Sequence, residues 1–348
     1  MTTRTRYFVI ASLLVLTVGV GTGLVAYYVG FPTSAFTTEG GPQELRYVPR
    51  DAAVVAFANV QEIMTSELRQ RIKAAVPIPE NGQQEFESHT GINIETDIDR
   101  IVACMEPSRG TDMQGAGMVV ASGRFDNGKI EALMREHGAV VETYRDRRLI
   151  VGTPDMMHKE GYATTKPDTS PSDATHPSFA LAFIKPGVVA VGTTPLVRAA
   201  IDQDTTGGDN ITLNDEVMAK VKAVDIGNNA WAIGRFDVLQ SHAHLPQAVS
   251  SQLPPITWFS IGTHINGGVR GTLSAQTRDA DAANNLRDVV RGFLGLAKMQ
   301  AGSKPEIQTM IQSLDVEGTG DMVTLSFTVP AQVFDAAAAM RGMGKRHQ

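Results

Sequence analysis

Two histidines separated by one residue form the most metal-like feature of the sequence. His242 and His244 lie in a Ser-His-Ala-His segment, and such a pair can supply two zinc ligands from one extended segment. A zinc site needs a third ligand, and the sequence does not indicate whether His264, His176 or an acidic residue lies close enough. No His-Glu-x-x-His or Cys-x-x-Cys motif accompanies the pair. We therefore interpret His242 and His244 as surface histidines and predict no bound metal.

Two other groups of residues have side chains of metal-binding types. The Met-Met-His segment Met156–His158 offers soft ligands of the kind that copper prefers. Glu95, Asp97 and Asp99 follow Asn93 and resemble a calcium loop, but the Gly and the Glu that such a loop requires are missing. We interpret the first group as part of a polar loop and the second as a solvated turn with a helix N-cap.

The sequence contains no recognisable catalytic or cofactor motif. It has no Gly-x-Ser-x-Gly elbow, no Walker loop and no dinucleotide fingerprint. The formal net charge of −6 argues against nucleic acid as a partner, because phosphate binding needs clustered Lys and Arg. The sequence therefore favours a role other than catalysis, without a cofactor.

Cys104 is the single cysteine of the chain, so no intramolecular disulfide can form. It lies in an apolar segment that is typical of a strand. We expect a buried thiol rather than a reactive one.

The N-terminal region, residues 1–31, has the composition of a cytoplasmic tail and a transmembrane anchor. Arg4 and Arg6 precede Tyr7–Phe31, a run of 25 residues without a charged side chain. As a helix this run is roughly 37 Å long, enough to cross a hydrocarbon core of about 30 Å. The two arginines predict a cytoplasmic N-terminus and a bulk outside the cytoplasm, in the periplasm or at the cell surface. A cleaved signal peptide is the alternative, but the bulky Tyr27 suits a membrane interface better than a cleavage site.

Within the predicted anchor, Gly19 and Gly23 form a Gly-x-x-x-Gly pattern. Such a pattern lets two membrane helices approach closely and can drive their association. Glycine is also common in membrane helices that do not associate.

The rest of the sequence divides by composition. Residues 32–46 predict a tether, because they are rich in Thr, Gly and Pro and have no apolar period. Residues 47–202 and 214–348 each combine apolar hairpins with amphipathic helices, and the polar segment 203–213 predicts a linker between them. We therefore expect an α+β fold in which an N-terminal transmembrane helix is followed by two similar antiparallel-sheet-plus-helix halves, each sheet covered on one face.

Two local similarities support an internal repeat. Val119–Met134 and Thr272–Val289 each have the pattern of a strand, an Asp and a helix. Val191–Ala200 and Ser326–Ala337 each have a strand that leads into a helix started by proline.

The second half also predicts a long amphipathic helix. Asp279 is expected to be its N-cap. One apolar stripe is expected to face the core and consists of Ala283, Leu286, Val290, Phe293 and Ala297.

Two short sequences near the start of the first half support a family resemblance. Val48-Pro-Arg-Asp-Ala52 precedes the first predicted strand, and an eleven-residue sequence from Thr90 to Arg100 precedes the second. Through them, the segment Tyr47–Met105 resembles a domain family of unknown function in membrane-anchored exported proteins. The resemblance implies an exported location and a similar architecture, and it implies no catalytic residues.

These features predict a membrane-anchored extracytoplasmic binding or assembly module. Its partner would be another envelope protein or an apolar ligand, and a homo-oligomer is a further candidate. Two alternatives stay open. One is a metal-dependent hydrolase that uses His242 and His244, and the other is a non-catalytic accessory subunit of a membrane complex recruited through Gly19 and Gly23.

A reporter enzyme that is active only outside the cytoplasm should be active when fused after Gln348, because Arg4 and Arg6 hold the N-terminus inside. The same fusion without residues 7–31 should be inactive. The full chain should also sediment with membranes and keep its N-terminal residues. Recovery of a soluble form that begins after Ala26 would contradict the anchor.

Overall fold

The computed structural model describes residues 41–75, 87–88, 90–107, 117–152, 179–238, 253–300 and 305–334. The predicted anchor with Gly19 and Gly23 lies outside the described residues, as do most of the tether, the polar loop Thr153–Pro177 and the segment of His242 and His244. Within the ranges given, no helix has both the length and the apolar character that crossing a membrane requires.

Strands and helices follow one another along the described chain. The strands are β1 (Val54–Ala58), β2 (Ile98–Met105), β3 (Gly117–Gly123), β4 (Val140–Tyr144), β5 (Arg147–Gly152), β6 (Phe179–Lys185), β7 (Val188–Thr193), β8 (Ala230–Arg235), β9 (Ile256–Ile265), β10 (Gly268–Thr277), β11 (Asp315–Glu317) and β12 (Met322–Pro330). The α-helices are α1 (Val60–Met64), α2 (Glu67–Ala75), α3 (Ile94–Asp97), α4 (Asn127–Glu136), α5 (Thr194–Thr206), α6 (Asp215–Asp225), α7 (Ala280–Gln300) and α8 (Pro305–Gln312). Two 3-10 helices span Gln43–Tyr47 and Ile211–Leu213.

The strands belong to one antiparallel sheet of twelve, in the order β11-β12-β10-β9-β8-β1-β2-β3-β7-β6-β5-β4. The prediction of two similar halves, each with a sheet of its own, is therefore wrong, whereas the α+β character is confirmed. Apolar alternation indicates that a segment is a strand, and a turn indicates which two strands form a hairpin. Neither signal indicates which strands from distant parts of the chain become neighbours.

The chain forms two compact units, and the boundaries between them differ from those that the composition of the sequence predicted. One contains Phe36–Ala53 and Glu80–Met218 and is named the β2–β7 unit; the other contains Val54–Pro79 and Ala219–Gln348 and is named the β1/β8–β12 unit. The polar segment 203–213, predicted to be a linker, lies within the β2–β7 unit. Helix α5 runs to Thr206, and Ile211 is fully buried and donates its backbone N–H to the carbonyl oxygen of Val48 at 2.9 Å. A single apolar side chain thus docks a segment whose composition is otherwise polar.

In the β2–β7 unit, helices lie on both faces of the sheet. The register places Leu149 beside Ala182 on one face and Ile150 beside Leu181 on the other. Helix α4 covers the second face, where Ile130 packs with Ile150 and Leu181. Helix α5 contacts β6 and β7 and contributes the buried side chains Leu196, Val197, Ala200 and Ile201. The expectation of a single covered face is therefore wrong for this unit.

In the β1/β8–β12 unit, α7 and α8 cover one face of the sheet. Leu286 of α7 packs with Ala275 and Val323, and Met310 of α8 packs with Phe327. The β9–β10 and β10–β12 registers alternate these apolar residues with polar ones such as Ser260, Ser274 and Thr324, which lie on the opposite face. This alternation is the pattern that the sequence analysis expected.

Trp231 on β8 is the largest buried side chain of the described residues. Its ring lies 5.6 Å from that of Phe57 on β1, and its Nε1 donates to the carboxylate of Asp225 on α6 at 2.6 Å. Burial raises the pKa of Asp225, and the hydrogen bond from Trp231 partly opposes this shift. The end of α6 is therefore tied to the centre of its own unit.

Both units contain the same order of connected strands. β2, β3, β7 and β6 are neighbours in that order, and so are β9, β10, β12 and β11. The two local sequence similarities fall at equivalent places in these orders: β3 and β10 lead into α4 and α7, β7 leads into α5 with Pro195 in its first turn, and β12 ends at Pro330 before the helical residues 331–334.

Replacing Gly123 by Ala should lower the free energy of unfolding by about 3 kcal/mol. A Cβ at this position would lie 1.9 Å from the backbone oxygen of Asp97, which cannot move without breaking the end of the β2–β3 ladder. The control is Gly128→Ala in α4, where the nearest atom is 3.5 Å away and alanine should stabilise the helix by about 0.5 kcal/mol. Urea unfolding of both variants measures the difference, and equal stabilities would contradict the close approach.

Candidate functional site

The residues that the sequence singled out for metal binding fall into two sets. His242, His244 and Met156–His158 lie outside the described residues, so the prediction that they bind no metal stays a prediction. His264 lies on β9 opposite Arg270 of β10. Over the part of the chain that the structure describes, no three His, Cys, Asp or Glu side chains come together in a group that could hold a metal ion.

The acidic turn around Asn93 is confirmed as a helix N-cap. The side chain of Asn93 accepts a hydrogen bond from the backbone N–H of Glu95 at 2.9 Å, and its own backbone N–H donates to Asp97 at 2.8 Å. The guanidinium of Arg124 lies 3.7 Å from both Asp97 and Asp99. Two of the acids are thus oriented by donors from the chain itself.

Cys104 is buried on β2, as the sequence predicted, with 3% of its surface exposed. Burial raises the pKa of its thiol to about 12, and the negative charge of Glu106 adds to the shift. The thiolate is the nucleophilic form of cysteine. Cys104 is therefore an inert core residue near neutral pH.

Polar side chains connect α5 to the β4–β5 hairpin, and we call Tyr144, Arg145, Arg147, Arg198, Asp202 and Asp204 the α5 network. The hydroxyl of Tyr144 donates to the carboxylate of Asp202, with oxygen–oxygen distances of 3.0 and 3.2 Å. Arg145 forms an ion pair with the same carboxylate. Arg145 and Asp146 have φ of 47° and 60°, so the hairpin turn holds two non-glycine residues in the left-handed region. Such turns usually contain Asn or Gly, and the contact with Asp202 helps to offset the cost.

The other members of the α5 network extend the contact along the helix. Arg147 donates to Asp204 at 3.1 Å, and the hydroxyl of Tyr47 donates to the same carboxylate at 3.3 Å. Arg198 donates to Glu142 at 3.0 Å, and its guanidinium lies 5.3 Å from the centre of the Tyr144 ring. Each carboxylate in the network is paired with a cation or a phenol. This arrangement positions α5 on the hairpin.

A surface of a different kind lies on the C-terminal half of α7. The sequence predicted one apolar stripe, and the structure confirms that Ala283 and Leu286 are buried and that Val290 packs against the same core. Phe293, which was predicted to belong to that stripe, is only half-buried, and Leu294 packs on the core in addition. Ala297, the last member of the predicted stripe, packs against the core cluster of Met310 and Phe327, so the predicted orientation of the helix is confirmed at four of its five positions.

A second set of residues lies beside this buried stripe, and we call it the α7 stripe: Val289 and Phe293, which are half-buried, and Gly292, Leu296 and Met299, which are exposed. Leu296 is 54% exposed and Met299 is 83% exposed. The spacings of three and four residues place these side chains on one side of the last three turns. A Cβ added to Gly292, or to Gly295 beside it, would meet no described atom within 4 Å. The α7 stripe is thus an apolar strip with open space over its centre.

Charged residues flank the α7 stripe. Asp288 lies near its first turn, with 78% of its side chain exposed, and Arg291 lies 3.8 Å away on the same helix. Lys298 is exposed near the other end of the stripe. Charges of both signs are therefore interspersed along the exposed part of α7.

No protein-family model matches the sequence, and no curated protein matches it. Among solved structures, the chain is similar to one described as "Structure of crystal form I of TP0453". The two share 10% sequence identity at a TM-score of 0.46, and the match covers 87% of this chain and 99% of that chain. A likeness of this degree does not indicate a family or a function.

Stability should fall more steeply with pH in the native chain than in a Cys104→Ala variant. Between the ordinary thiol pKa of 9.0 and the folded value of about 12, the unfolded chain releases the thiol proton while the folded chain keeps it. This contribution is therefore fully present below the ordinary pKa and is lost as pH rises toward the folded pKa. From about pH 8 to about pH 10, the native chain should lose about 1 kcal/mol more than the variant. Urea unfolding at each pH measures the free energy of unfolding of both proteins. If this free energy falls equally with pH in both, the burial of the thiol is contradicted.

Proposed function

We propose that the chain is a binding or assembly module, held at a membrane by its N-terminal segment on the extracytoplasmic side, and that the α7 stripe is its contact surface. The observation that carries this proposal is the exposure of Leu296 and Met299 beside Gly292 and Gly295. Contiguous exposed apolar residues cost solubility, and on folded proteins they commonly mark a site of interaction.

The α7 stripe also has the geometry of a contact surface. It lies on a helix whose other side is fixed to the core through Leu286 and Val290, so the exposed side chains are presented by a rigid element. Three turns of helix with anchors at spacings of three and four residues are the pattern by which one amphipathic helix docks on another apolar surface.

The α5 network supports a structural role better than a binding role. Its three arginines are already engaged by carboxylates, and Asp204 is largely buried, with 14% of its side chain exposed. A partner would have to displace these contacts before it could bind. In the α7 stripe, Leu296 and Met299 are already largely exposed to solvent.

A photo-crosslinking amino acid placed at Leu296 or Met299 of the full chain should give ultraviolet-dependent adducts in intact cells. The matched control is the same substitution at Ile226, which is 73% exposed but lies in a turn outside the α7 stripe. We expect adducts of defined mass from positions 296 and 299 and none from position 226. If positions 296 and 299 give no adduct, the α7 stripe is not a contact surface.

A further inference from the structure

We propose that Glu44, Arg100 and Ser122 form a buried hydration site, in which one water molecule bridges Oε2 of Glu44 and Oγ of Ser122. We call these three residues the Glu44 cluster. The site belongs to the β2–β7 unit and lies where the first 3-10 helix, Gln43–Tyr47, contacts β2 and β3. It is independent of the α7 stripe and of the function proposed for that surface.

Glu44 is enclosed by the protein although its side chain is a carboxylate. It lies in the first turn of the 3-10 helix, next to the fully buried Leu45, and is itself only 3% exposed. Arg100 on β2 donates from Nε to Oε1 of Glu44 at 3.0 Å. This ion pair engages one of the two carboxylate oxygens. The other oxygen, Oε2, is buried and has no hydrogen-bond partner among the described residues.

A second buried oxygen lies on the same face of the sheet. Ser122 on β3 is 8% exposed, and its register partner on β2 is Arg100. Side chains that are directly opposite in an antiparallel pair leave the sheet on the same face, with Cβ atoms about 5 Å apart. Oγ of Ser122 is also buried, and within the described part of the chain it has no hydrogen-bond partner. Arg100 thus connects two buried oxygens that both lack a protein partner.

Apolar residues continue this face of the sheet around the Glu44 cluster. Val102 and Val120 form the next pair along β2 and β3 on the same face, and both are buried. Val188 on β7 is the other register partner of Ser122 and is buried as well. A buried polar atom without a partner is destabilising, and native proteins pair nearly all such atoms with protein groups or with ordered water. Two such atoms beside one arginine therefore indicate a bound molecule.

The charges of the Glu44 cluster select a neutral molecule. Arg100 already balances the carboxylate of Glu44, so a cation would add a buried charge without a counterion, and an anion would face Oε2. The molecule must donate a hydrogen bond to Oε2, because an ionised carboxylate only accepts, whereas the hydroxyl of Ser122 can accept or donate. Water meets both conditions, and buried waters commonly join polar groups of this kind.

Replacing Ser122 by Ala tests the site through the sign of its effect. If Oγ had no partner, its removal would stabilise the fold, because an unpaired hydroxyl would no longer be buried. If Oγ binds the bridging water, the equilibrium constant for unfolding of the full chain in urea should rise about fivefold. An unchanged or lower constant would overturn the proposal.

The same substitution in a Glu44→Gln background tests whether Ser122 acts through Glu44. Water donates more strongly to a carboxylate than to a neutral amide, so the effect of Ser122→Ala should shrink to about twofold. The matched control is Thr263→Val, which removes a buried hydroxyl that donates directly to the carbonyl of Ala230 at 3.2 Å. Its effect should be the same in both backgrounds. Equal effects of Ser122→Ala in the two backgrounds would contradict the bridge.

A crystal structure of the full chain provides the direct observation. We expect an ordered water within about 3.2 Å of both Oε2 of Glu44 and Oγ of Ser122. A direct hydrogen bond between these two side chains, or a position between them without an ordered atom, would overturn the proposal.

Discussion

Pairing between strands that are distant in sequence is the constraint on which the rest of the structure depends. β1 ends at Ala58, and its partner β8 begins at Ala230, so this ladder closes across most of the β2–β7 unit. Closing a long loop costs entropy that grows only slowly with its length. Burial of Phe57 and Trp231, which face each other across this pair, helps to offset that cost. β9 pairs with β8 on the other side from β1, and β10 follows β9 by hairpin geometry.

The register of these strands determines which faces of the sheet are apolar, and therefore where helices pack against it. In the β2–β7 unit, neighbouring strands bury apolar residues on both faces, and α5 is further fixed by its network with the β4–β5 hairpin. In the β1/β8–β12 unit, α7 contacts the core along its length: its first turns bury Ala283 and Leu286, and Ala297 near its end packs with Met310 and Phe327. Leu296 and Met299 are exposed because they lie on the side of the helix that faces away from these contacts.

The sequence predicted local features better than distant ones. It identified Asp279 as the N-cap of α7 and the burial of Cys104, because capping and apolar runs are signals carried by adjacent residues. It missed the single sheet and the docked segment around Ile211. The α5 network was also missed, since Tyr144 and Asp202 are 58 residues apart and no periodicity connects them. The α7 stripe was hidden for another reason: Phe293 was assigned to the core because a helical wheel cannot distinguish two adjacent apolar stripes.

The distinction between those stripes depends on what glycine does in a helix. Gly292 and Gly295 lower the intrinsic stability of α7, yet they lie on its exposed side, where neither the core nor a turn requires them. Ala283 and Leu286 fix the first turns of the helix to the core, so the glycines chiefly destabilise the last turns. The residues that weaken α7 in isolation therefore lie beside its most exposed apolar side chains, Leu296 and Met299.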